Sequence, residues 1–420
     1  MKNLFIIFTI ILFGCSKQND FVVSKPIQNS VPFASKKVSA NYYAGKTSYQ
    51  LKNPIEFYGV SEIRTRLGVA EKGMYGPGGN VGYTYIDINN DGFEDIFYPY
   101  RSNDQTPMLP DIFLRDGLGN YKLGNPYDYF PENYKGNILT RKTLVGDFNN
   151  DNLPDLFLIN SGYDGPPWPF EYCTLLLSDK ITNKFKLGDL SKLPRAFWHG
   201  GASGDLNGDG NIDIIVLDNN FPKLLYGDGN GNFNIKDWDY KAGNGYITAE
   251  IVDVDKDGKN DIILSGDETN DYSVGKTSPS TIFFNDGNNF SSRQIIICKP
   301  NLNGRKYVMD ISVEDLDNDG INEIILTRTG DGTNGIIWYG GYELDTYKTT
   351  DNFKSFNQLN IITNPSNIVP GPWPGNWAYR VYVYNENQTL KIQASITFGY
   401  GKPTSTYKIW TQNKQTLKFE

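Results

Sequence analysis

Five copies of one nine-residue acidic loop, each running into a short apolar strand, constrain this chain more than any other feature. They read DINNDGFED from Asp87, DFNNDNLPD from Asp147, DLNGDGNID from Asp205, DVDKDGKND from Asp253 and DLDNDGINE from Asp315. Positions 1, 3, 5 and 9 bear oxygen in every copy, and position 6 is Gly, or Asn at residue 152. Oxygen donors at alternate positions, followed by a residue that turns sharply, are what a hard cation such as Ca²⁺ needs from a short loop. Gly at position 6 takes a positive φ without a Cβ penalty, and Asn is the next most tolerant residue there.

The predicted ligands follow position by position. The first loop offers Asp87, Asn89, Asp91 and Asp95, with the carbonyl of Phe93 at position 7. The second offers Asp147, Asn149, Asp151, Leu153 through its carbonyl, and Asp155. The third offers Asp205, Asn207, Asp209, Asn211 and Asp213. The fourth offers Asp253, Asp255, Asp257, Lys259 through its carbonyl, and Asp261. The fifth offers Asp315, Asp317, Asp319, Ile321 through its carbonyl, and Glu323. About five structural Ca²⁺ sites are therefore expected, with loops four and five tightest because they alone carry four acids at ligand positions. An EF-hand is excluded. It needs a bidentate Glu at position 12 and flanking helices, whereas position 12 here is Tyr98, Leu158, Val216, Leu264 or Leu326 and the flanks are strand-like.

Loop starts at 87, 147, 205, 253 and 315 give spacings of 48 to 62 residues. Periods of this size mark propellers or arrays. Hairpins with a D-G turn recur between loops, as IFLRDGLGNYKL, KLLYGDGNGNFNI and TIFFNDGNNFSS, so each unit holds four strands. Aromatics at 14% with 43 Gly and 22 Pro suit such a turn-rich β protein. Four strands per repeat is a propeller blade, and closing the ring removes exposed sheet edges.

The five D-x-[DN]-x-D-[GN]-x-x-[DE] loops, the NDG-like hairpins at 285–290 and 228–233, and the stretches GYDGPPWPF (162–170) and FWHGGASGDLNGDG (197–210) resemble the FG-GAP/VCBS repeat family, which includes the integrin-type propeller. The resemblance covers roughly 80 to 335 and implies calcium held between the first and second strands of each blade. WAYRVYVYNENQTLKIQASITF keeps the strand-loop-strand shape without the acidic spacing. It reads as a sixth, metal-free blade over about 340–420, closed by TYKIWTQ and TLKFE, with SYQL near Tyr49 as another source of a closing strand. The expected fold is thus an all-β propeller of six blades over 46–420. Seven is the alternative count, its extra blade drawn from 45–80.

The N-terminus reads MKNLFIIFTIILFGC. Its apolar run is too short to span as a mature helix and follows a lysine, as in an export signal. Leu12 to Cys15 resembles the lipobox of bacterial lipoproteins. This implies a signal peptide over 1–14, lipidation at Cys15, a Ser/Asn/Lys/Pro-rich tether to about 45 and an outer-membrane location, with the membrane met only through the lipid. An ordinary secretory signal with an incidental Cys is the alternative. Cys173 and Cys298 are compatible with an exported disulfide, but their different offsets in non-adjacent repeats favour free thiols.

A formal charge of −8 without a basic stripe argues against a nucleic-acid partner. The leading functional expectation is an envelope binding or adhesion module for a glycan or protein, presented by the Pro-framed aromatics Tyr163, Trp168, Trp373 and Trp377, since rigid loop aromatics suit stacking on ligands. The alternative for these Trp residues is capping of the core ends. The alternative function is a polysaccharide lyase or hydrolase. No paired carboxylates outside the loops (Asp164, Asp267 and Glu268 included) announce acid–base work, and the only histidine, His199, reads as structural near the axis.

Overall fold

The structure is a computed structural model that describes residues 60–69, 83–102, 104–218, 222–238, 245–268, 279–287, 289–290, 292–295, 306–330, 341–349, 355–359, 361–362, 375–386, 388–398 and 406–420. Cys15, Cys298, Trp373, the tether and the stretch around Tyr49 lie outside these residues.

Six antiparallel sheets follow one another along the chain. Blade one contains β1 (Thr84–Ile86), β2 (Asp95–Tyr98), β3 (Asp111–Arg115) and β4 (Tyr121–Gly124). Blade two contains β5 (Thr140–Gly146), β6 (Asp155–Asn160), β7 (Thr174–Asp179) and β8 (Lys184–Leu187). Blade three is β9 (Gly200–Gly204), β10 (Asp213–Leu217), β11 (Lys223–Gly227) and β12 (Phe233–Asp237). Blade four is β13 (Tyr246–Val252), β14 (Asp261–Gly266), β15 (Thr281–Phe284) and β16 (Ser292–Ile295). Blade five is β17 (Tyr307–Glu314), β18 (Glu323–Thr329), β19 (Tyr342–Lys348) and β20 (Asn357–Leu359). Among the described residues blade six has three strands, β21 (Gly375–Glu386), β22 (Thr389–Phe398) and β23 (Thr406–Thr411), where four were expected of a blade. The expected six-bladed all-β propeller is the observed one. The C-terminal residues fold back on β23, where Thr411 and Glu420 exchange backbone hydrogen bonds at 2.9 and 3.1 Å.

The strand after each acidic loop is buried on both faces, which explains why DLFLIN, DIIVL and DIILSG read as continuous apolar runs without alternation. Their side chains form layers between neighbouring blades. Phe157, Ile159, Trp198, Ile214 and Val216 fill the layer between blades two and three. Ile215, Leu217, Ile251 and Leu264 fill the next. Outer strands such as β8 and β12 alternate, because one face meets solvent. Ring closure falls on aromatic contact: Tyr85 of β1 meets Tyr382 of β21 edge-to-face, 5.5 Å between centroids.

Inner strands crowd the axis. A Cβ on Gly200 would lie 2.1 Å from the Ile247 carbonyl oxygen of the next blade, so the GGASG strand is small by steric necessity. Lys142 on β5 points across the axis. Its Nζ lies 3.6 Å from Asp310 on β17 and donates to the Ala249 carbonyl of β13 at 3.4 Å, joining opposite blades through buried groups. Helix content among the described residues is small. The eight-residue α1 (Val60–Leu67) is anchored by buried Arg64, which pairs with Asp111 of β3 at 2.5 Å, and α2 (Pro126–Tyr129) is one capped turn.

Candidate functional site

Each acidic loop bridges the innermost strand of its blade to the second, so all five lie at the same end of the propeller. Their geometry is shared. The first Asp gathers two backbone N–H groups: Asp91 and Gly92 donate to Asp87 at 3.0 and 2.8 Å, and Asp257 and Gly258 to Asp253 at 3.0 Å each. Position 5 accepts from the N–H of position 7, as Asp151 does from Leu153 at 2.8 Å and Asp319 from Ile321 at 2.9 Å. The predicted positive φ at position 6 is present at Gly92, Asn152, Gly210, Gly258 and Gly320. Position 4 turns the same way at Asn90, Asn150, Gly208, Lys256 and Asn318. The sequence carried that second signal, since four of these five residues are Asn or Gly.

Position 9 is the most buried member, at no more than 1% exposure in every loop. One oxygen closes the loop and the other fastens it to the third strand of the blade. Asp155 accepts from Phe148 at 2.8 Å and from Ser178 at 2.7 Å; Asp261 accepts from Val254 at 3.0 Å and from Asn285 at 2.9 Å. Burial pushes these carboxyls up against the pull of the backbone donors, to about 8 at Asp95 and Asp155, about 7 at Asp261 and about 6 at Asp213. A nearby cation would relieve that cost by favouring the charged form.

Carboxylates converge most closely in two loops. Oxygens of Asp253, Asp255 and Asp261 lie within 4.8 Å of one another, as do those of Asp315, Asp317 and Glu323. The fourth loop's donor set, all oxygen, fits a hard divalent ion. The fifth loop differs in two respects: its position 9 is Glu323 where the others have Asp, and Lys348 Nζ enters its acid cluster, 2.8 Å from Asp317 and 3.1 Å from Glu323.

A cleft of about 520 Å³ opens at the opposite end of blades two and three, where β6 runs into β7 and the chain enters β9. Trp168 stands 50% exposed in its lining together with exposed Phe170, and Tyr172, also exposed, follows two residues on in the chain. The φ of Trp168 is +59°, a left-handed conformation that a bulky residue adopts at a cost. A turn closed by Trp168 N–H to the Gly165 carbonyl at 2.7 Å holds it there. Phe197 meets Trp168 edge-to-face at 6.1 Å, Arg141 lies 5.4 Å over Phe197, and His199 is 5.3 Å from it. Buried Trp198 forms part of the wall and donates from Nε1 to the Pro194 carbonyl at 3.3 Å.

Asp164 sits in this cleft between Arg141 at 2.9 Å and Arg101 at 3.2 Å. Burial would raise its carboxyl, but the two guanidinium groups outweigh burial and hold it below the usual carboxylate range. Arg195 donates from Nε to the Phe170 carbonyl at 2.8 Å and lies 5.6 Å over the Tyr172 ring. Of the other predicted aromatics, Tyr163 is half-buried near Gly165, and Trp377 packs partly buried against Ile247, Tyr307 and Met309. Glu268 pairs with Arg328 at 2.5 Å. Arg101, Arg141, Phe170, Tyr172, Arg195 and Phe197 were missed in the sequence, where they carry no shared spacing.

Fold and loops together define a six-bladed β-propeller with acidic loops in five blades. Residues 205–264, from the third loop to the strand after the fourth, match the FG-GAP-like repeat family. No curated protein sequence matches the chain. Similar solved structures include a protein from Lactobacillus plantarum, 9% identical with a TM-score of 0.44 over 81% of this chain and 83% of that one. The catalytic domain of a Coprinopsis cinerea GH62 alpha-L-arabinofuranosidase is 12% identical, with a TM-score of 0.36 over 61% and 86%. The V. cholerae biofilm matrix protein Bap1 is 16% identical, with a TM-score of 0.38 over 83% of this chain and 58% of that chain. No helix among the described residues is long and apolar enough to cross a membrane.

Proposed function

We propose that this chain is an exported, lipid-anchored binding module of the cell envelope, whose calcium-clipped propeller presents the Trp168 cleft to a glycan. The cleft carries the reading. An exposed Trp held in a costly backbone conformation, Phe170 and Phe197 beside it, and an ionised carboxylate between two arginines combine apolar faces with fixed polar groups. Sugar rings need both, an aromatic surface for their C–H faces and charged acceptors or donors for their hydroxyls. The oxygens at positions 1, 3, 5 and 9 of the first four loops would hold Ca²⁺, as the FG-GAP likeness implies. The ion would stiffen the joint between the first and second strands without taking part in ligand contact, because the loops and the cleft lie at opposite ends of blades two and three.

Binding suits this cleft better than turnover. Asp164 is held ionised between Arg141 and Arg101, which leaves it no proton to give as a general acid. A glycan array with purified full-length protein, followed by calorimetry on Trp168→Ala, tests the reading. Glycan capture that weakens at least tenfold in the variant supports it, and equal capture by both proteins sinks the cleft assignment. Cleavage of a captured glycan that disappears in His199→Ala would favour the lyase or hydrolase reading instead. Palmitate labelling lost in Cys15→Ser tests the anchor.

A further inference from the structure

We propose that Lys348 is a built-in cation that fills the fifth acidic loop, so that this blade closes on an ammonium while the other four loops take calcium. Its Nζ donates to Asp317 Oδ2 at 2.8 Å and Oδ1 at 3.0 Å, and also to Asp319. Glu323 Oε1 lies 3.1 Å away. Three of the loop's four acids thus surround one nitrogen. Calcium holds its oxygens at about 2.3–2.6 Å, so an ion bound to Asp317 and Glu323 would occupy nearly the same volume as this nitrogen. The two positive charges exclude each other.

Register shows how particular the arrangement is. In the ladder between the second and third strands, Ile324 faces Tyr347, which places Lys348 beside Glu323 at position 9. The matching pairs elsewhere are Ile96 with Phe113, Leu156 with Leu176, Ile214 with Leu225 and Ile262 with Phe283. The residue corresponding to Lys348 is therefore Leu114, Leu177, Tyr226 or Phe284, uncharged in every other acidic blade. The acid beside it differs as well, since position 9 is Glu only in this loop. Its extra methylene lets Oε2 accept from the Leu316 N–H at 2.7 Å while Oε1 faces the ammonium.

Lys259 in loop four provides the contrast. Among the described residues it pairs with Asp257 alone, at 2.9 Å, and its side chain is 43% exposed, so it can swing into solvent when an ion arrives. Lys348 has a side chain only 9% exposed and contacts three acids. Expelling it would leave a buried charge without a partner, which burial makes costly. The four-acid composition that ranks loops four and five together in the sequence therefore describes two different sites.

The inference rests on the calcium reading of the first four loops, and counting ions on the full-length protein separates the two. Titration with CaCl₂ after chelation, read by calorimetry and by native mass spectrometry, is expected to give four ions for wild type. Asp255→Asn, in loop four, should lower the count to three or weaken one site at least tenfold. Asp317→Asn should leave the count at four, and Lys348→Met, purified with calcium, should raise it to five. Wild type with five ions, one of them lost in Asp317→Asn, overturns the lysine assignment and leaves the calcium reading intact. Wild type with no bound calcium overturns both. The Asp317→Asn arm keeps the test decisive should Lys348→Met fail to fold.

Discussion

At one end of blade two, nine consecutive residues from Asp147 to Asp155 fold almost entirely on themselves. Their side-chain oxygens accept backbone N–H groups two to seven residues away. At the other end, the cleft gathers Arg101, Arg141, Asp164, Trp168, Arg195 and Phe197 from segments up to about a hundred residues apart. The first end is a repeated local device that joins strands. The second occurs once and depends on three blades being in place. Stability is expected to reside at the first end and ligand recognition at the second.

Chelation should give the largest effect and would break this division if it did not. A site held at about a hundredfold excess of ion over Kd adds about 2.7 kcal/mol to folding. Losing several such sites should lower the melting temperature by about 10 °C or more in scanning calorimetry. An unchanged melt would refute calcium as the clip. Next in size is Asp261→Ala, which orphans the Val254 and Asn285 N–H groups that the carboxylate now satisfies. It should cost about 2–4 kcal/mol in urea unfolding, and glycan binding should survive below the transition.

The acidity of the clips sharpens the comparison further. Asp95 and Asp155 are pushed up to about 8 by burial, above the ordinary 3.8 of an unfolded Asp. Without calcium the folded state therefore holds protons that the unfolded state releases. This contribution is full below about pH 4 and is lost as pH rises through about 8. In chelator, melting temperature should drift down between pH 5 and 8 from these groups, and calcium should reverse the slope, because the ion binds the ionised carboxylates. A chelated melt that rises steadily across that range would contradict the assignment.

At the cleft end the expected effects are smaller and of another kind. Trp168→Ala should weaken glycan binding at least tenfold, about 1.4 kcal/mol, with a melting temperature within about two degrees of wild type, since half of the side chain already faces solvent. A large loss of stability instead would assign Trp168 to holding the blade together. Smallest of all, Cys173 is buried and its thiol is pushed far up by that burial, so native protein should not react there with a thiol reagent that labels it after unfolding.

How much could be read directly follows from the same contrast. The loops were legible to single residues because each acid answers to a neighbour within the nonapeptide, and even the second positive φ was written as Asn or Gly at position 4. The continuous apolar run after each loop likewise announced a strand covered on both faces. Other features have no local signature. Arg141 looks like any strand residue until β5 and the turn at Asp164 meet. Lys348 lies 25 residues beyond the end of its loop, where only the ladder of β18 and β19 brings it to Glu323. GGASG reads as a weak strand until the Ile247 carbonyl is found where a Cβ would be.

The repeat, the all-β class and the oxygen-donor pattern of the acidic loops were written in the sequence, because those depend on hydrogen bonds and burial patterns spanning a few residues, whereas the choice of six blades over seven came from the sheets themselves. The tertiary structure alone decided which aromatics share a cleft, which carboxylate sits between two arginines, and which of two equally acidic loops already contains a cation. Those outcomes depend on through-space distances of a few ångströms between residues far apart in the chain, and short-range electrostatics and packing act on that separation, whatever the distance along the sequence.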